Sequence, residues 1–95
     1  MHKIIYSALF KLQLDNAYDF YNQRDSDYSD FLIKSLYSEI NILKRFPRIG
    51  MSVPEVNVES VREIFVEKYR VIYEIGDGVI EILNLLHFKQ RFFLL

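Results

Sequence analysis

The sequence predicts one α+β domain with the order β-α-α-β-β-β, a helical hairpin packed on one face of a small, mainly antiparallel sheet. Three observations predict it. Two early stretches repeat apolar residues at helical spacing without an internal proline or glycine. After Glu59 the pattern changes to the two-residue alternation of strands, broken by turn residues. The chain is 95 residues long and 51% apolar, enough for one core and too short for two. Helices grouped early and strands late place the helix pair on one sheet face, and residues 1–95 read as a single domain.

Residues 3–6 are β-branched and aromatic, a first strand. Ser7 then suits a helix N-cap. Phe10, Leu14, Ala17 and Tyr21 recur along one face of a helix over residues 8–23. The polar run 22–27 interrupts that face. Asp27 or Ser26 is the expected cap of a second helix, with Asp30 favoured near its positive end. Leu32, Leu36, Ile40 and Leu43 form its apolar stripe, and Lys44 and Arg45 suit its C-terminal end. Phe46-Pro47 stops it, because the residue before proline avoids the α region. Residues 47–57 contain both prolines and Gly50 and read as an irregular loop. Strands follow at 61–66, 69–75 and 79–86. Glu67-Lys68 is the first turn, and Gly76-Asp77-Gly78 the second, where Asp-Gly signals type I′. The tail Phe92-Phe93-Leu94-Leu95 is too short to anchor in a membrane and is expected to pack on the domain or on a partner.

These turns set a register. Val66 should face Tyr69, Phe65 Arg70 and Ile64 Val71; Ile75 should face Ile80, and Tyr73 Ile82. One sheet face then carries Ile64, Val66, Tyr69, Val71, Tyr73, Ile75, Ile80, Ile82 and Leu86, and meets the helices. The other carries Glu63, Phe65, Arg70, Ile72, Leu85 and His87. A slip of one residue exchanges the faces, and Asn84 falls awkwardly on the apolar one.

The totals also exclude functions. With no cysteine, disulfides and thiolate metal sites are ruled out, and a reducing compartment fits. His2 and His87 are too far apart in sequence to suggest zinc, so no metal or other cofactor is expected. No run approaches ~18 apolar residues, so the expectation is a soluble cytoplasmic protein. The formal net charge is −1, from 12 basic and 13 acidic residues. A broad grip on a phosphate backbone normally needs a strongly basic surface. The charges are unevenly placed, with five aspartates between residues 15 and 30 and most cations after residue 44.

Several pieces together resemble the RelE/ParE toxin superfamily of bacterial type II toxin–antitoxin systems, over almost the whole chain. They are Ile4-Ile5-Tyr6-Ser7, Leu14 with Asp19-Phe20, and Leu43-Lys44-Arg45-Phe46-Pro47-Arg48-Ile49-Gly50. Val61-Arg62-Glu63-Ile64-Phe65-Val66, Tyr69-Arg70-Val71-Ile72-Tyr73 and Ile82-Leu83-Asn84-Leu85-Leu86-His87 with Arg91 complete the set. The resemblance implies a toxin held inactive by a cognate antitoxin that wraps it. It allows two targets: RelE-like members cut mRNA on the ribosome, and ParE-like members poison DNA gyrase.

Five residues are candidates. Arg70, where the resemblance puts a catalytic arginine of RelE-like members, suits a phosphate clamp; the plainer reading is a structural arginine paired with Glu63 or Glu74. His87 suits a general acid or base; the plainer reading is a strand-end histidine bonded to backbone. Arg62, Lys89 and Arg91 would join them in a binding patch, or would be solvated surface. The pairs Asp15/Asp19 and Asp27/Asp30 read as helix-end carboxylates rather than ligands, and the aromatics of the first half as core or antitoxin groove. RelE-like members carry lysines on the strand before Tyr-Arg and often a late tyrosine. Here residues 62–67 hold no lysine and two acids, and no tyrosine follows His87. The balance favours a ParE-like, non-enzymatic gyrase inhibitor, alone, as a homodimer or with its antitoxin. The alternative is a metal-independent endoribonuclease, acting on ribosome-bound mRNA, with Arg70 and His87 as its catalytic pair.

Overall fold

Ser7 opens the first helix: its hydroxyl accepts the Phe10 amide at 3.0 Å. The computed structural model describes residues 1–93. Its elements are β1 (Lys3–Tyr6), α1 (Ala8–Asn22), α2 (Ser26–Ile42), a 3-10 turn (Pro47–Ile49), β2 (Met51–Ser52), β3 (Val61–Val66), β4 (Tyr69–Ile75) and β5 (Val79–His87). The cap of α2 is Asp25, not Ser26 or Asp27. Asp25 takes the extended conformation and its carboxylate accepts the Tyr28 amide at 3.1 Å, so the helix begins one residue sooner than a Ser26 cap implies and two sooner than an Asp27 cap. No helix among the described residues is long and apolar enough to cross a membrane.

The sheet has five strands in the order β1-β5-β4-β3-β2. β1 runs parallel to β5, and the other pairs are antiparallel. β2 lies inside the segment expected to be loop. Two residues are too few to show a period-2 pattern, and pairing with Arg62 and Glu63 on β3 is what makes them a strand. Nearby, Tyr73 reaches out of β4 so that its hydroxyl donates to Pro47 O at 2.6 Å and accepts the Gly50 amide at 3.0 Å. A Cβ on Gly50 would lie 2.5 Å from that hydroxyl, so the position needs glycine.

Both hairpin registers are as expected: Val66 faces Tyr69, Ile64 faces Val71, Ile75 faces Ile80 and Tyr73 faces Ile82. The second turn is not type I′. That turn requires positive φ at both central residues, and here Gly78 has it (φ 70°) while Asp77 does not. A larger correction comes from a β-bulge opposite Ile72 and Tyr73. Tyr73 pairs with Ile82 and Ile72 with Asn84, so Leu83 is the extra residue. Beyond it, every side chain of β5 changes face. Leu85 joins the core under the helices, and Leu86 and Asn84 move to the opposite side. The bulge is held from α1's end: Ser7 Oγ donates to Leu83 O at 2.8 Å, and Gln13 Oε1 accepts the Leu85 amide at 2.7 Å.

The main core lies between helices and sheet, around Phe10, Leu32, Leu36, Ile40, Val71, Ile80 and Ile82. A smaller cluster of Val53, Val61, Ile72, Leu86 and Phe92 occupies the other face. Phe92 therefore packs on the domain, Phe93 is exposed, and Leu94 and Leu95 lie outside the described residues.

Candidate functional site

Arg70 projects from β4 onto the sheet face away from the helices, opposite Phe65 on β3 and Leu86 on β5. Glu63 stands two residues along β3 from Phe65, on the same face and within diagonal reach. Arg70 Nε donates to Glu63 Oε1 at 2.6 Å. Its Nη1 and Nη2 form a two-pronged contact with Glu55, each at 2.8 Å, and Nη1 also donates to Gln90 O at 2.7 Å. Glu55 closes the cluster by accepting the Phe92 amide at 2.9 Å.

The guanidinium was expected to stand free for a partner. Instead, the residue is only 5% exposed, covered by the segment after β2 and by the chain beyond β5. Four donor contacts occupy a group that has five N–H bonds. The plainer sequence reading, a structural arginine paired with Glu63, matches this geometry; Glu74 is exposed and takes no part. Glu55 was not anticipated. It lies in an aperiodic segment, 15 residues from Arg70, and carries no signal that it folds onto the sheet.

One arginine against two carboxylates leaves the cluster with a net negative charge. The hydrogen bonds from Arg70 hold the Glu55 carboxyl down at about 2, against the burial of the side chain, which opposes them. In return, Glu55 first and Glu63 second make the guanidinium harder to deprotonate. The Arg70 guanidinium therefore has no free positive charge with which to clamp a phosphate.

The other candidates divide. Lys89 and Arg91 are exposed and line, with Arg70, a cleft of about 420 Å³ that also contains Glu55, Glu63 and Phe65. Lys89 lies over the Phe88 ring and Arg91 over the Phe93 ring, 5.5 and 5.9 Å from the centroids. His87 is elsewhere. The bulge turns it to the face of Tyr69, whose ring it meets edge-on at 6.2 Å; the Phe88 ring is 4.7 Å away. The expected convergence of Arg70 and His87 on one face is thus corrected. Arg62 also leaves the patch. It shares Tyr73's side of the sheet and donates to Gly50 O at 2.9 Å, with its Nε buried and unpartnered among the described residues.

Known proteins supply the remaining frame. No curated protein sequence matches the chain. Among solved structures, the chain is similar to one described as the chromosomal ParDE TA system from P. aeruginosa, with a TM-score of 0.76 and 18% identity. The match covers 92% of this chain and 96% of that one. At that identity the likeness speaks to the fold. The model of the family described as "ParE toxin of type II toxin-antitoxin system, parDE" matches residues 4–92. With residues 4–92 matched, nearly its whole length, the chain belongs to the ParE toxin family of type II toxin–antitoxin systems.

Proposed function

We propose that this toxin acts by binding DNA gyrase and inhibiting it, in the cytoplasm, and that a cognate antitoxin neutralises it. One observation carries the preference for binding over RNA cleavage. Metal-free cleavage needs an acid, a base and cations around one phosphate. Here Arg70 is engaged by Glu55 and Glu63, and His87 faces the other side of the sheet. The parts of a nuclease centre are therefore apart, and the strongest cation is already neutralised. Lys89 and Arg91 remain as exposed cations beside the cleft, placed to meet an acidic surface of a partner.

The test sets gyrase supercoiling beside cleavage of ribosome-bound mRNA, using the purified chain. Supercoiling is expected to fall with increasing toxin, His87→Ala is expected to keep that inhibition, and mRNA is expected to stay intact. Cleavage of mRNA that His87→Ala abolishes while the chain stays folded by circular dichroism, without any effect on supercoiling, would replace this reading with the endoribonuclease one.

A further inference from the structure

Four large apolar side chains stand around β2, each half or more exposed: Phe46, Ile49, Met51 and Phe65. They form one belt rather than four separate spots. Phe65 lines both the cleft of Arg70 and a second one, of about 240 Å³, shared with Ile49 and Met51. Ile49 in turn lines a third cleft of about 590 Å³ with Phe46, Pro47 and Ile75. The belt therefore runs unbroken from the cleft of Lys89 and Arg91 to the turn that follows α2. The backbone beneath it is fixed. The Tyr73 hydroxyl holds Pro47 O and the Gly50 amide, Arg62 Nη1 donates to Gly50 O at 2.9 Å, and the Ile49 amide donates to Phe46 O at 3.1 Å. Single exposed apolar residues are ordinary on a surface, but a contiguous strip of them marks an interaction site.

Cations stand at both ends of the belt, Lys89 and Arg91 beside Phe65, and Arg48 beside Phe46. Arg48 is paired with Glu59 at 3.0 Å, with both side chains exposed, and an incoming carboxylate can replace so weak a partner. Of the carboxylates along the belt, Glu55 and Glu63 are taken by Arg70, which leaves Glu39 exposed near its middle. We infer that this belt is the surface by which the toxin meets its target, and that the target presents an apolar strip with carboxylates at both ends. The belt continues the surface of Lys89 and Arg91, so the identity of the partner rests on the gyrase reading above. Because the turn is already held by Tyr73 and Arg62, binding orders little more than the side chains of the belt. A second copy of this chain suits it poorly. Laid on itself about a two-fold axis, the belt sets the Arg48 end of one copy against the Lys89 and Arg91 end of the other, cations against cations.

The test compares Ile49→Asp with Leu12→Asp, an equally exposed apolar position on α1, in the full chain. Both are expected to keep the circular dichroism and thermal unfolding of the unaltered chain. Ile49→Asp is expected to raise the toxin concentration that half-inhibits gyrase supercoiling by roughly tenfold or more, and to relieve growth arrest when the chain is expressed in bacteria. Leu12→Asp is expected to change neither. Arg48→Glu is expected to raise the half-inhibiting concentration about threefold, an effect that shrinks as salt is added. Should Ile49→Asp lose its fold, Phe46→Ser repeats the measurement at the other wall of the same cleft. A folded Ile49→Asp chain that inhibits and arrests growth like the unaltered one overturns the inference, as does an equal loss in Leu12→Asp. Growth arrest without any effect on supercoiling, abolished by Ile49→Asp, removes gyrase as the target and leaves the belt as the surface for another. An unaltered chain that does neither overturns both readings. A dimer in sedimentation that Ile49→Asp turns into a monomer also overturns the inference, since the belt then joins two copies.

Discussion

The two faces of the sheet are covered in different ways. Under the helices, Leu32, Leu36, Ile40, Val71, Ile80 and Ile82 meet as apolar side chains from regular elements whose backbones satisfy their own hydrogen bonds. On the other face the cover is irregular chain: the segment around Val53 and Glu55 and the stretch from Phe88 to Phe92. Irregular chain brings backbone groups that need partners when buried. Arg70 and Glu55 supply them, to Gln90 O and to the Phe92 amide. Where a helix covers a sheet, hydrophobic burial suffices; where coil covers it, a buried ion cluster ties the cover down.

The sharpest way to break the contrast is Arg70→Ala. It strands two carboxylates and releases both covering segments, so it is expected to cost about 3–5 kcal/mol in urea denaturation. That is comparable with ~2–5 kcal/mol for Leu36→Ala under the helices. Replacing the whole cluster, with Arg70→Met, Glu55→Gln and Glu63→Gln together, is expected to recover much of the loss. If Arg70→Ala costs under ~1 kcal/mol, near the value of an exposed ion pair, the cluster does not hold the cover.

Acid should act on one face before the other. Glu55 is held below its ordinary value of 4.5, at about 2, so its contribution is fully present above pH 4.5 and is lost as pH falls toward 2. Within that window Glu55→Gln is expected to flatten the dependence of stability on pH. Phe92 and Gln90 amides should exchange faster there, while those of the apolar face stay protected. An unchanged profile in the variant would remove Glu55 from this role.

The smallest effect concerns the helix side, where Ser7 both caps α1 and accepts the task of holding Leu83 O. Ser7→Ala is expected to cost ~1 kcal/mol, measured by thermal or urea unfolding. Its distinguishing mark is a loss of amide protection around Leu83 and Leu85. A loss of stability without that local change means that Ser7 serves the helix alone.

Legibility in the sequence followed range. Ser7 as a cap, the stripe Leu32-Leu36-Ile40 and the pairing across Glu67-Lys68 each depend on neighbours a few residues away, and each stands in the structure as read. The site was legible only in part. Arg70 and its partner Glu63 lie on adjoining strands of one hairpin, so alternation places them on one face. Glu55 gave no signal, because no period runs through the segment that carries it.

Local sequence, then, determined the helices, the strands other than β2 and the hairpin registers next to the turns, since side-chain spacing and turn chemistry act over a few residues. Tertiary structure decided the rest: that Leu83 bulges, that His87 turns away from Arg70, and that a distant glutamate closes over the guanidinium. The physical reason is that side chains far along the chain hold these features. Ser7 is 76 residues from Leu83 and Gln13 is 72 from Leu85, and one inserted residue in a strand reverses every face beyond it.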